Sequence, residues 1–152
     1  MTYILSFDPG KQTGITLGEY SDTEPYRRLD YWQVGGGLAG FLAWQSEHAE
    51  ITGTSETVSE KFTLRNNKFV ADTTPLLIEG AMITLGMDCI WQQPALKATV
   101  PDKILKDNGL WLTGKMVGHK DARDANDSCI HALAYLRRKH HAPTLKAFWG
   151  DK

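Results

Sequence analysis

Phe7-Asp8-Pro9-Gly10-Lys11-Gln12-Thr13-Gly14 (FDPGKQTG) follows at once on the apolar run Tyr3-Ile4-Leu5, and its reading decides the fold. Residues 3–8 read as a short buried strand that ends in a carboxylate. A charge in that position is costly unless something pairs with it. Two readings of Asp8 stay open: it caps an Asx-type turn ahead of Pro9-Gly10, or it faces a metal ion or a phosphate. Asp-Pro-Gly is a turn signal in either case. Residues 13–20, with Ile15 and Leu17 alternating, read as a second strand, so the stretch is the bend of a hairpin.

Outward from that hairpin, residues 29–34 (LDYWQV) read as a third strand, stopped by Gly35-Gly36-Gly37. Three strands in succession imply an antiparallel meander. Leu38, Phe41, Leu42 and Ala49 recur at helical spacing, which predicts a helix over 38–51. Residues 57–62 and 89–92 read as further strands. Residues 74–87 read as a helix with Pro75 in its first turn. A short helix is expected over 101–108, stopped by Gly109. Residues 120–140 form the longest helical candidate, and the tail from Ala142 has no clear assignment. The order β-β-β-α-β-α-β-α-α predicts an α/β domain, a mixed sheet flanked by helices.

A chain of 152 residues suits one domain around one core. Apolar residues make up 41% and charged residues 23%, the balance of a soluble globular protein. The net charge of −1 does not announce a nucleic-acid binder, but carboxylates grouped around cations cancel a basic patch in the sum. Cys89 and Cys129 have no zinc-type spacing and read as free thiols of a reducing compartment. No apolar run is long enough to span a bilayer, and the N-terminus lacks the pattern of a signal peptide. No membrane contact and a cytoplasmic location are expected.

Two further acidic sites stand out. In Val58-Ser59-Glu60-Lys61-Phe62 the two-residue period puts Glu60 on the face of Val58 and Phe62; the other reading is a solvated residue just past a sheet edge. In Lys120-Asp121-Ala122-Arg123-Asp124-Ala125-Asn126-Asp127, the three aspartates recur every third residue and form a slanting acidic row on a helix. Ala122, Ala125, Cys129, Ala132, Leu133 and Leu136 form an apolar stripe on the other side. One Asp in a first helical turn is explained by capping and the helix dipole. Three like charges repel by about 0.2–0.5 kcal/mol per pair, which argues for something positive between them. Strand-end Asp, strand-end Glu and helix acids together make an all-oxygen ligand set suited to Mg²⁺ or Mn²⁺. Two such ions about 3.5–4 Å apart can hold the attacking and leaving oxygens of a phosphodiester.

With these residues in view, ILSFDPGKQTGI, VSEKF and DANDSCIHALAYL resemble the RuvC family of Holliday-junction resolvases in the RNase H-like superfamily, and in particular its phage-encoded type. Asp8, Gly10 and Gly14 match the family's opening strand and turn, Glu60 its acidic end of the fourth strand, and Asp124 with Asp127 its last helix; pairing Asp121 with Asp124 is the alternative register. The resemblance spans residues 3–140. It implies a five-stranded mixed sheet, a homodimer, and branched DNA as partner, in the host cytoplasm if the chain is phage-encoded. It implies that Asp8, Glu60, Asp124 and Asp127 hold two Mg²⁺ or Mn²⁺ ions and cut four-way junctions by paired nicks, leaving 5′-phosphate and 3′-hydroxyl ends. Lys11, Lys61, Phe62, Arg65, Lys68, Lys115 and Lys120 match where the family meets DNA; Arg123 joins the phosphate contacts, and the remaining helix acid or Lys120 tunes protonation.

The chain departs from the family where Lys115, His119 and Lys120 supply only part of the usual basic segment before the last helix. Phe62, Arg65 and Lys68 all fit the place of a junction-entering residue. A broader branched-DNA or flap nuclease and a catalytically silent nucleic-acid-binding module remain as rival readings. A sugar-kinase or actin-type ATPase, which shares the Asp-x-Gly loop, needs a much longer chain. His131, beside the acidic row, reads as a hydrogen-bonding residue or a proton shuttle.

Overall fold

The structure, a computed structural model, describes residues 1–63, 72–113 and 122–150. β1 (Thr2–Asp8), β2 (Thr13–Tyr20) and β3 (Arg27–Val34) form the expected antiparallel meander. α1 (Gly37–Glu47) and α2 (Ala49–Thr54) lead to β4 (Glu56–Glu60), which lies parallel to β1. α3 (Thr74–Thr84) precedes β5 (Cys89–Gln92), parallel to β4. A 3-10 turn (Pro94–Thr99), α4 (Asp102–Asp107), α5 (Arg123–Arg138) and α6 (Ala142–Trp149) complete the described chain. The five-stranded mixed sheet has the order β3-β2-β1-β4-β5.

Strand alternation divides the interior in two. Ile4 and Val58 point to one face and pack with Leu105, Cys129, Leu133 and Leu136. Leu5, Phe7 and Ile15 point to the other and pack with Phe41, Trp44, Ile78 and Met82. Helices therefore cover both faces of the sheet, with α5 on one and α1 and α3 on the other.

Gly14 explains how α5 comes so near. It pairs with Asp8 across β1 and β2. A Cβ on Gly14 would stand 1.8 Å from the Asp124 carbonyl oxygen, so only glycine lets the first turn of α5 rest on β2. Next along, the Thr16 and Ser128 hydroxyls meet at 2.6 Å, and Thr16 donates to the Ala125 carbonyl at 3.3 Å.

Several boundaries differ from the sequence reading. The helix expected over 38–51 breaks at His48, whose ring stacks on Trp44 at 4.5 Å while the backbone leaves helical geometry. The helix expected over 74–87 stops at Thr84, and Gly86, at φ 74°, turns the chain toward β5. The third strand starts two residues early, the fourth covers Glu56–Glu60 rather than 57–62, and the unassigned tail forms α6, entered through His141 and Pro143. Nor is the acidic side of α5 a solvent face: every residue from Ala125 to Leu136 is buried, Asp127 included.

Candidate active site

The β1–β4 register ends on the pair Phe7 and Ser59, so the next residues, Asp8 and Glu60, leave their strands side by side. On the far side of β4, Glu60 pairs with Gln92 at the end of β5. Asp8, Glu60 and Gln92 thus form a row across the carboxyl ends of three parallel strands, on the face covered by α5. The turn after Asp8 is closed without it: the Thr13 hydroxyl lies 3.3 Å from both the amide nitrogen and the carbonyl oxygen of Gly10. The Asp8 carboxyl instead interacts with Glu60.

α5 lays two residues over this row. Asp127 belongs to the same charge cluster as Asp8 and Glu60. Its Oδ1 is buried without a hydrogen bond, and Arg123 Nε stands 3.3 Å away. One turn on, the fully buried His131 places Nε2 3.1 Å from Glu60 Oε1. Its Nδ1 lies 3.1 Å from Gln92 Nε2, which also donates to the His131 carbonyl at 2.9 Å.

Three carboxylates share this half-closed space with one ammonium. Lys97, from the 3-10 turn, reaches Glu60 at 2.9 Å and Asp127 at 3.5 Å. Burial, then the neighbouring charge of Glu60, pushes the Asp8 carboxyl well above its ordinary range. Burial also raises Asp127, more than Lys97 and Arg123 lower it. Burial alone would raise Glu60 too, but hydrogen bonds from His131, Asp8 and Lys97 outweigh it and bring the group down to about 2. Asp8 therefore holds a proton more tightly than an exposed carboxyl does, and Glu60 gives its proton up more readily. Burial disfavours the charge on Lys97, yet Glu60, Asp8 and Asp127 hold it on and raise its pKa.

The structure brings Asp8, Glu60 and Asp127 together. Asp124 sits one turn earlier on α5, half-buried, its carbonyl against β2. Lys11 is exposed in the β1–β2 turn; Lys61 and Phe62 directly follow β4, with the Phe62 amide held 3.3 Å from Glu79 Oε2. Arg65, Lys68, Lys115, Lys120, His119 and Asp121 lie outside the described residues, and with Asp121 goes the alternative register. Arg123 pairs with Asp102 as well as Asp127. Sequence reasoning missed Lys97 and Gln92. A lysine after a strand carries no local signal, but Gln92 ends a strand as Glu60 does, and that place was readable.

A divalent cation fits the chemistry of these residues. The acidic donors are all oxygens, and Asp127 keeps a buried oxygen without a hydrogen bond, 3.3 Å from Arg123 Nε. Among the described residues no three potential ligands stand close enough to cage an ion, and Lys97 lies between Glu60 and Asp127.

The five-stranded sheet of order β3-β2-β1-β4-β5, with α5 on one face and α1 and α3 on the other, has the RNase H-like fold seen in RuvC structures. No protein-family model matches the sequence, and no curated protein matches it. Solved structures do. Thermus thermophilus RuvC in complex with a Holliday junction superposes with a TM-score of 0.64 at 14% identity, over 93% of this chain and 98% of that one. The yeast mitochondrial Holliday junction resolvase Ydc2 gives 0.60 at 11% identity, over 92% and 80%. Fowlpox virus resolvase with its junction substrate gives 0.53 at 12% identity, over 89% and 99%.

Proposed function

We propose that this protein is a divalent-cation-dependent DNA endonuclease that resolves four-way junctions by paired symmetric nicks, leaving 5′-phosphate and 3′-hydroxyl ends. The observation that carries the reading is the meeting of Asp8, Glu60 and Asp127 over the strand ends of a fold shared with junction resolvases.

Asp8, Glu60 and Asp127, with Asp124 one turn away, would hold two Mg²⁺ or Mn²⁺ ions, which when bound would supply water activation and charge neutralisation at the phosphate and the leaving oxygen. Lys97 leaves its two carboxylates and turns its ammonium to the phosphate. Lys11 and Lys61, exposed on either side of the acidic row, bind flanking phosphates, together with Arg65, Lys68, Lys115 and Lys120. Phe62, just past Glu60, meets the bases at the branch.

Paired nicks require two sites related by a two-fold axis, which a homodimer supplies. α3 supports this: its exposed residues Leu76, Leu77, Gly80, Ile83 and Thr84 form one uncharged stripe with Gly80 at its centre. A solitary surface helix would be polar there.

The test is cleavage of a strand-labelled four-way junction, a flap and a linear duplex with Mg²⁺ or Mn²⁺. Symmetric nicks on the junction are expected. Cutting of every branched form would remove junction selectivity. Binding without cutting under either ion would overturn the enzyme and leave a nucleic-acid-binding module.

A further inference from the structure

We infer that His131 and Gln92 are positioning residues which together aim the carboxylate of Glu60, so that the buried end of β5 controls the acidic site. This rests on the nuclease reading above. Gln92 itself lies under α5 and is only 1% exposed.

A neutral imidazole has one donor and one acceptor, and its tautomer is set by what faces it. The Gln92 amide nitrogen lies 2.9 Å from the His131 carbonyl oxygen, which only a donor can face. That fixes the side-chain amide, and its second N–H then points at His131 Nδ1, 3.1 Å away. Nδ1 must therefore accept, so the proton is on Nε2 and is directed at Glu60 Oε1. The ring cannot evade this role by turning to water, because its side chain is wholly buried. Lys97, by contrast, is 29% exposed on a long flexible stem and can leave when a cation or phosphate enters. His131 is the donor that stays. A fixed hydrogen bond at Oε1 limits how the Glu60 carboxylate can turn when Lys97 leaves that oxygen. Such supporting partners typically change metal affinity or activity by about 10–100-fold when removed.

The first test needs no catalysis. Nitrogen NMR of the ¹⁵N-labelled wild-type protein should show His131 protonated at Nε2 and bare at Nδ1; the opposite tautomer would overturn the inference. Next, His131→Leu should raise the Mn²⁺ concentration for half-maximal junction nicking, and lower the nicking rate, by about 10–100-fold, with the KM for junction DNA unchanged. His131→Gln, whose amide N–H stands near the place of Nε2–H, should recover most of that loss. Gln92→Met should produce a smaller loss of the same kind and mix the tautomers. Wild-type cation dependence in His131→Leu would refute the inference, as would a Gln variant no better than Leu at equal melting temperature. If the wild type cuts no branched DNA, the nuclease reading fails, while the tautomer and direct Mn²⁺ titration of these variants still decide the relay.

Discussion

Glu56 and Glu60 begin and end the same short strand, four residues apart and on one face beneath α5, yet they live in opposite surroundings. Glu56 accepts hydrogen bonds from the hydroxyls of Tyr20 and Tyr135, the latter at 2.9 Å, and Lys139 stands 3.9 Å away. Lys139 in turn donates to Tyr20 at 3.2 Å. One carboxylate, one ammonium and two hydroxyls close into a balanced set. Glu60 shares its space with Asp8 and Asp127, and Lys97 answers all three. A half-buried carboxylate with matched donors is structure. Asp8, Glu60 and Asp127 are answered by Lys97 and, at Asp127, by Arg123, and burial with mutual repulsion pushes their pKa values apart, which is the pattern of a site that receives a cation or phosphate.

The largest effect that tests this contrast is on catalysis. Asp8→Asn, Glu60→Gln and Asp127→Asn should each lower junction nicking by at least about 10³-fold, the loss of several kcal/mol of charge stabilisation. Glu56→Gln should cut at the wild-type rate. Comparable losses at both ends of β4 would erase the distinction.

Stability should move the other way. The fold raises the Asp8 pKa above its ordinary 3.8, so the native state binds that proton more tightly than the unfolded chain. This contribution is full below 3.8 and is lost as pH rises through the folded value. Asp8→Asn should therefore melt higher than the wild type at neutral pH without divalent cations, by about 2–4 °C for each kcal/mol regained. The gain should vanish in acid, below the unfolded pKa. Glu56→Gln should melt lower, by about 1–3 kcal/mol, because charged hydrogen bonds are weakened. A neutral-pH melting temperature for Asp8→Asn below that of the wild type would show that Asp8 is an ordinary structural residue.

The smallest effect concerns the thiols, which belong to neither end. Burial pushes Cys129 up to about 11 and, with Asp88 and Glu79 nearby, Cys89 up to about 12. Cys129, fully buried, should react with a disulfide reagent at pH 8 only as fast as the protein opens, and the half-exposed Cys89 should react first. Immediate labelling of Cys129 would contradict its packing under α5.

Much of this was legible in the sequence because it is local. Asp-Pro-Gly and Gly14 announce a hairpin, and glycine at position 14 is what lets α5 reach the sheet. That Glu60 meets Asp8 was implied by the family resemblance, while the parallel register that sets them side by side came with the structure. What could not be read depends on tertiary contact. His48 breaks its helix by stacking on Trp44. Lys97 acquires its role from residues far away in the chain at positions 60 and 127. The burial of α5 on its acidic side comes from its packing on β1, β2, β4 and the 3-10 turn, which no helical period reveals.

The most direct measurement is a calorimetric titration of Mn²⁺ into the wild type and Asp8→Asn near pH 7, in buffers of different ionisation enthalpy. The wild type should bind Mn²⁺ with more proton release than Asp8→Asn, because its Asp8 pKa is raised, and Asp8→Asn should bind far more weakly. Equal affinity in the two proteins, or no binding by the wild type, would contradict the claim that the acidic end of β1 and β4 exists to receive a cation.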